Sequence, residues 1–274
     1  MQTAYINGTT LAYRDEGAGA PVVLLHAFPL SSAMWEHQIA ALAGRFRVIA
    51  PDTRGLGASA LGDTAVSMDT YADDVAGLLD HLRLARAAVT GLSMGGYIAF
   101  ALLRRHRPRL AALVLANTRA QADTDEGRRA REESARMAEE RGPGAVAEAM
   151  LPRLLSPGAP QPLRDEVRRM IEANPAAGIA AAQRAMAARP DSTPLLATIA
   201  VPTLVVGAGQ DPIIPLEETR AMQAAIPGSR LLELPAAGHL SNLEAPEAFN
   251  QALLDFLTNM NLGDSVLSPY GERA

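Results

Sequence analysis

Short, uniformly apolar runs alternate with helical patterns along most of this chain, and no other feature constrains the fold as much. The apolar runs occupy 21–28, 46–52, 87–91, 110–117, 202–211 and 229–235. Each ends at a polar or glycine-containing turn, as buried parallel strands do. Helical patterns cover 35–42, about 69–82, 94–105 and 244–257. This alternation predicts an α/β fold in which a mostly parallel sheet has helices on both faces.

The two ends of the chain and one internal segment depart from the alternation. The first segment reads as two antiparallel strands around Asn7-Gly8, a hairpin-turn pair. Between about 118 and 202, helical patterns at 121–142, 144–155, 162–173 and 176–190 follow one another without a strand-like run. That segment is too long for a loop. We therefore predict a core domain of 1–118 and 202–260, an inserted helical cap (lid) of 119–201, and a C-terminal tail of 261–274.

One serine stands between a predicted strand and a predicted helix. Gly91-Leu92-Ser93-Met94-Gly95 fits the pattern G-x-S-x-G, and the strand and helix around it give that short pattern its weight. In so tight a turn the serine backbone is strained, and side chains at the flanking positions would collide, which glycine avoids. We therefore predict that Ser93 is a nucleophile whose hydroxyl stands clear of the turn at the carboxyl edge of the sheet.

A serine hydroxyl needs a base, and the base needs an acid that holds its tautomer. His239 lies in a loop after the last strand, so it is the candidate base. Asp211 follows a strand that ends at the same edge, so it is the candidate acid. Asn117 occupies a rival position after the preceding strand, but an amide carries no charge. Asp52 comes before the serine in the chain, and we interpret it as structural.

A reaction through this serine also requires donors for a developing oxyanion. The backbone N–H of Met94, directly after the nucleophile, is one candidate. The N–H of Phe28, in the loop after the first long apolar run, is the other. His26 precedes that loop and is interpreted as a residue that braces it.

These blocks resemble the ordered motifs of the α/β-hydrolase superfamily. The similar stretches are HAFPLSSAMW, PDTRGLGAS, GLSMGGYIAF, GQDPIIP and AGHLSNLEAPE. Small bacterial carboxylesterases and 3-oxoadipate enol-lactonase-like hydrolases are the most similar branch, over roughly 4 to 258. The resemblance implies an α/β-hydrolase fold with an eight-stranded sheet. It also implies Ser93 as nucleophile, Asp211 as acid, His239 as base, and Phe28 and Met94 as oxyanion donors. Ala27 stands where that family usually has glycine.

The composition narrows the possible partners. A net charge of −5 with dispersed basic residues argues against a nucleic-acid role. The absence of cysteine excludes disulfides and thiolate chemistry. With no signal-peptide pattern and no apolar run of membrane-spanning length, we expect a cytoplasmic monomer or small homo-oligomer without a membrane partner. The expected partners are a small-molecule ester and water, with no metal and no other cofactor.

The function predicted from these residues is that of a serine carboxylesterase acting on short- to medium-chain esters. Three alternatives stay open: an enol-lactone hydrolase, a cofactor-free perhydrolase or haloperoxidase, and a non-catalytic binding protein on the same fold. Lactone hydrolysis would need cations to meet a dicarboxylate, and Arg119, Arg184 and Arg189 are in or near the cap. Each of these arginines is expected on the surface. The predicted substrate-binding residues are Leu30, Trp35, Met150 and Met186.

Overall fold

The strands expected from the apolar runs come together in one sheet. The computed structural model describes residues 1–260, and in that range eight strands lie in the order β1-β2-β4-β3-β5-β6-β7-β8. Their bounds are β1 Gln2–Ile6, β2 Thr9–Glu16, β3 Ala20–Leu25, β4 Phe46–Pro51, β5 Ala87–Leu92, β6 Leu110–Ala116, β7 Thr203–Ala208 and β8 Arg230–Leu234. The predicted α/β-hydrolase fold with a mostly parallel eight-stranded sheet is confirmed.

Strand direction changes only at the N-terminal side of the sheet. β1 pairs antiparallel with β2, and β2 antiparallel with β4, whereas all later neighbours pair in parallel. Asn7 and Gly8 form the predicted hairpin turn, with φ of 48° and 80°. Positive φ at both central turn positions matches the right-handed twist of the strands they join. The carboxyl ends of the parallel strands therefore share one edge, and the candidate residues follow those ends.

Helices cover both faces of the sheet and fill the segment between β6 and β7. Their bounds are α1 Glu36–Leu42, α2 Met68–His81, α3 Met94–Arg105, α4 Asp125–Leu154, α5 Gln161–Glu172, α6 Ala176–Ala187, α7 Leu216–Ala225, α8 Ser241–Glu244 and α9 Pro246–Thr258. Helix α3 is buried from Met94 through Leu103, which explains its nearly continuous apolar sequence. None of these helices, all within 1–260, is long and apolar enough to cross a membrane.

The predicted helices differ from the observed ones at two places in the chain. Helix α7 was not predicted. The pattern at 244–257 corresponds to α9, which begins at Pro246, and the short helix α8 that ends at Glu244 was not predicted. The separate helices predicted at 121–142 and 144–155 are both present and lie end to end in α4, where they meet at a kink at the non-helical Gly142 with φ 77°. A glycine followed by proline interrupts the helical hydrogen bonds there, so the two helical stretches meet at an angle.

The segment that carries α4, α5 and α6 leaves and rejoins the core at neighbouring points. The Ser192 N–H donates to the Ala120 carbonyl at 2.8 Å, and the Arg189 guanidinium donates to the Gln121 carbonyl at 3.0 Å. All three helices lie within 119–201, and we keep the name cap for that range. The predicted tail at 261–274 lies outside the described residues.

Candidate active site

The turn around Ser93 has the strained geometry that its sequence predicts. Ser93 joins β5 to α3 with φ 55° and ψ −113°, a backbone conformation unusual for a residue with a side chain. A Cβ on Gly91 would lie 2.3 Å from the Gly95 carbonyl oxygen, and one on Gly95 would lie 2.1 Å from that of Leu25. The glycines are therefore required by close packing. The Thr118 hydroxyl also donates to the Ser93 carbonyl at 2.8 Å, which holds the turn from β6.

The structure brings Ser93, His239 and Asp211 into one hydrogen-bonded line. His239 Nε2 lies 2.8 Å from Ser93 Oγ, and His239 Nδ1 lies 2.8 Å from Asp211 Oδ2. All three side chains are buried. With Nδ1 donating to the carboxylate, Nε2 can accept the serine proton. The arrangement can therefore activate the serine as a nucleophile. The imidazolium that forms when His239 takes the proton faces the Asp211 carboxylate, which stabilises its positive charge.

Four donors surround the Asp211 carboxylate. The backbone N–H groups of Ile213 and Ile214 donate to Oδ1 at 2.8 and 3.0 Å. His239 Nδ1 and Asn117 Nδ2 lie 2.8 and 2.9 Å from Oδ2. Burial raises the pKa of Asp211, but the charge of His239 and these hydrogen bonds outweigh it and hold the pKa below its ordinary value. Asp211 therefore stays ionised at neutral pH.

Asn117 is a site residue that the sequence reasoning missed. It was considered only as a rival acid, yet its buried amide donates to Asp211. The Ser241 hydroxyl donates to Asn117 Oδ1 at 2.6 Å, which fixes the orientation of the amide. Ser241 closely follows His239 in the chain, so the network returns to the loop of the histidine. The available signal was the position of Asn117 at the carboxyl end of β6.

The loop after β3 runs beside the serine turn. The near contact between the Gly95 position and the Leu25 carbonyl brings the end of β3 against the start of α3. Met94 is the first residue of α3, where backbone N–H groups have no acceptor within the helix. Phe28 lies in the β3 loop, and both side chains are buried. The two predicted oxyanion donors therefore sit on adjoining segments.

Ala27 and His26 pack into the core beneath that loop. The Ala27 side chain is fully buried, and its carbonyl accepts the Leu30 N–H at 2.9 Å. His26 Nε2 accepts the Thr53 N–H at 3.0 Å, and burial lowers the pKa of His26 below its ordinary value. A neutral imidazole thus ties the β3 loop to the loop after β4, and the bracing role predicted for His26 is confirmed.

Asp52 and Glu244 hold neighbouring loops through backbone donors. Asp52 accepts the N–H groups of Ser32 and Ala58 at 2.7 and 2.8 Å, as expected of a structural residue. The Glu244 carboxylate accepts the N–H of Ser156, just after α4, at 3.1 Å and that of Gly238, just before His239, at 2.9 Å. The end of α4 is thereby joined to the histidine loop.

The predicted substrate-binding residues occupy different environments. Leu30 and Trp35 are fully buried, Met186 is nearly so, and Met150 is half-buried. The Trp35 ring packs against Phe249 of α9 with centroids 6.2 Å apart, which favours a core role. Contact of these four residues with substrate stays a prediction.

The three arginines weighed for a dicarboxylate are engaged with protein groups. Arg119 pairs with Glu218 and donates to the Ile213 carbonyl. Arg184 is exposed, as expected, and forms ion pairs with acidic residues of α4. The expectation was wrong for Arg189, which is only 6 % exposed. It pairs with Asp123 at 2.7 Å and covers an aromatic ring of α3, and those contacts offset the cost of burial.

Comparison with known proteins agrees with this architecture. The family model described as "alpha/beta hydrolase fold" matches residues 20–246. The solved structure of a thermophilic esterase from Thermogutta terrifontis (malate bound) is 42 % identical with a TM-score of 0.92, and the match covers 95 % of this chain and 99 % of that one.

Relatives with other named activities also match over nearly their full length. The 3-oxoadipate enol-lactonase 2 of Acinetobacter baylyi is 30 % identical over 95 % of this chain and 96 % of its own. The crystal structure of a bromoperoxidase from Bacillus anthracis is 26 % identical with a TM-score of 0.82, over 91 % of this chain and 96 % of that one. The matches therefore agree on architecture and differ in named activity.

Proposed function

Because the chain belongs to the α/β-hydrolase family, we propose that it is a serine carboxylesterase acting on short- to medium-chain carboxylic esters. The observation that carries this proposal is the line from Ser93 Oγ through His239 to the Asp211 carboxylate, with 2.8 Å at each step. The likeness to the Thermogutta terrifontis esterase supports ester hydrolysis. The proposal requires a small ester, water and no cofactor.

Acylation begins at the serine. Ser93 Oγ attacks the ester carbonyl carbon while His239 Nε2 takes the hydroxyl proton. The ionised Asp211 stabilises the imidazolium and holds its orientation. The carbonyl oxygen becomes an oxyanion, which the N–H groups of Phe28 and Met94 are proposed to bind, each lowering the barrier by about 3 kcal/mol. His239 then protonates the departing alkoxide. The alcohol dissociates, and Ser93 remains acylated.

Deacylation reverses the roles with water as the nucleophile. His239 removes a proton from water, whose oxygen attacks the acyl carbon, and the same two N–H groups bind the second oxyanion. The ester bond between Ser93 Oγ and the acyl carbon breaks as His239 returns the proton to Oγ. The acid leaves, and the serine is restored.

The first test is the loss of the nucleophile. Wild-type protein should release a burst of p-nitrophenol from a short acyl ester, and Ser93→Ala should abolish turnover because no acyl-enzyme can form. Ser32→Ala is the matched control, since the buried Ser32 hydroxyl has no hydrogen-bond partner among residues 1–260. Absence of hydrolysis across an ester panel by folded wild-type protein would refute the esterase proposal.

Enol-lactone hydrolysis is the second candidate, and the relatives named enol-lactonase favour it. The same serine chemistry opens a lactone, but a dicarboxylate substrate also needs a cation near the nucleophile. The engagement of Arg119, Arg184 and Arg189 with protein acceptors weighs against this candidate. Comparing kcat/KM for a neutral p-nitrophenyl ester and an anionic enol-lactone separates the two, since only the lactonase should prefer the anion.

A further inference from the structure

Asn174 reaches from the cap to the loop that carries Phe28. It lies in the turn between α5 and α6 and is 3 % exposed. Its Nδ2 donates to the carbonyl of Pro29, the residue after Phe28, at 2.8 Å. Its Oδ1 accepts the N–H of Gly57, in the loop after β4, at 2.7 Å. One side chain therefore joins the cap to two loops of the core.

The amide is held in a single orientation. Nδ2 also donates to the Met170 carbonyl of α5 at 2.7 Å, so both of its protons and one lone pair of Oδ1 are used. A flipped amide would place its oxygen against two carbonyl oxygens and its nitrogen against a donor. The side chain therefore acts as a rigid spacer between α5 and the Pro29 carbonyl.

Close packing beside Asn174 fixes the same part of the cap. A Cβ on Gly178 of α6 would lie 1.7 Å from the Gly55 carbonyl oxygen, so the start of α6 rests directly on the loop after β4. This contact sets the height of the α5–α6 turn above the core. The distance from that turn to Pro29 is then fixed by the length of the Asn174 side chain.

We propose that Asn174 is a positioning residue, which sets the location of the Phe28 N–H through the Pro29 carbonyl and so tunes the oxyanion site from the cap. The proposal rests on the proposed function, in which the Phe28 N–H binds the oxyanion. A donor that stabilises a transition state must lie within a few tenths of an ångström of its best place. A loop anchored at Pro29 meets that requirement better than one held by backbone turns alone.

The test compares Asn174→Asp with a matched amide elsewhere in the cap. Asn174→Asp keeps the size and the acceptor for Gly57 but removes the donors to the Pro29 and Met170 carbonyls. Gln183→Ala is the control, because Gln183 is also a buried cap amide and bonds Ser134 and Arg131 rather than the β3 loop. Asn174→Ala is a second variant that introduces no buried charge, and circular dichroism identifies which variants fold.

The readouts are kcat, KM and the inhibition constant of an alkylboronic acid, whose adduct with Ser93 is tetrahedral. We expect the Asn174 variants to lose about tenfold to a hundredfold in kcat with KM within about threefold. Binding of the boronic acid should weaken by the same factor as kcat/KM falls, because it binds as a transition-state analogue. Gln183→Ala should change each value less than about threefold.

Two results would overturn the proposal. One is an effect of Asn174 variants on kcat no larger than that of Gln183→Ala. The other is a rise in KM with kcat and boronic-acid affinity intact, which would mean that Asn174 only shapes the pocket. A wild-type protein that hydrolyses no ester would instead refute the proposed function, so the two failures are distinguishable.

Discussion

At the scale of single residues, the hydrogen-bond donors around Asp211 keep its carboxylate ionised, and Asn117 is one of them. Asn117 can adopt its φ of 44° at little cost, because asparagine tolerates the left-handed region better than most residues. It presents a donor to Asp211 and an acceptor to Ser241 at the same time. An amide at this position thus supports the acid and ties it to the histidine loop.

Asn117→Asp changes that donor into a second carboxylate and keeps the shape. Aspartate also tolerates positive φ and can still accept from Ser241, so the fold should be retained. The new carboxylate would face Asp211 across 2.9 Å, and repulsion would raise the pKa of one of the two groups. We expect kcat/KM at pH 7 to fall at least about tenfold, with the acid limb of the pH–activity profile moved to higher pH.

Asn250→Asp makes the same chemical change on α9, where the amide contacts Gln38 and His37. It should leave the pH–activity profile as in the wild type. A wild-type profile in Asn117→Asp would show that the donor from Asn117 contributes nothing to the acid.

At the scale of secondary-structure elements, the kink of α4 depends on one backbone conformation. Gly142 has φ 77° and ψ 175°, a region almost restricted to glycine. Apart from its chain neighbours and the backbone of its own helix, no atom of residues 1–260 lies within 4 Å of a Cβ built there, so a substitution meets conformational strain rather than collision. The glycine is therefore needed for the direction of the chain.

Gly142→Ala should lower the free energy of unfolding by about 1–3 kcal/mol. Gly144→Ala is the matched control, since Gly144 is helical and its added Cβ would have 4.0 Å of space to Glu172. That change should raise stability by about 0.5–1 kcal/mol. Urea unfolding of both variants measures the difference, and equal effects would argue against strain at the kink.

The local sequence pattern predicted the features that depend on neighbouring residues in the chain. It missed those that depend on contacts between distant residues or that have a weak apolar periodicity. Ser93 and its glycines were predictable because the turn itself imposes their spacing. Helix α7 was missed because only two of its residues, Thr219 and Met222, are buried, so its apolar periodicity is weak. Asn117 and Asn174 bond partners 94 and 145 residues away, and no local spacing records such pairs.

At the scale of the whole molecule, a largely buried ion pair links the two ends of the cap, and its arginine also contacts the core. Arg189 follows α6, Asp123 precedes α4, and the guanidinium lies 4.0 Å from the ring centroid of Tyr97 on α3. Burial raises the pKa of Asp123, but hydrogen bonds from Arg189 and Arg131 outweigh it and lower the pKa. The two ends of the cap are thus linked to each other and to the central helix.

Arg189→Ala should destabilise the protein by about 2–4 kcal/mol, because it leaves a half-buried carboxylate with one partner fewer and removes the contact with Tyr97. Arg184→Ala removes another cap arginine, whose ion pairs are exposed and screened by solvent, and should change stability little. Urea unfolding midpoints of the two variants provide the measurement. Similar losses of stability in the two variants would mean that the Arg189 pair contributes no more than the exposed Arg184 pairs.

The hydrogen bond between Ser192 and Ala120 has a consequence for how such a chain can diversify. Because the insertion begins and ends at the same place, its length does not affect the spacing of β6 and β7. Each doubling of the length of a loop raises the entropic cost of closing it by only about 0.6 kcal/mol. The stretch between these two residues can therefore change in length without moving the strands that carry the catalytic groups, provided that the contact of Asn174 with the Pro29 carbonyl is kept.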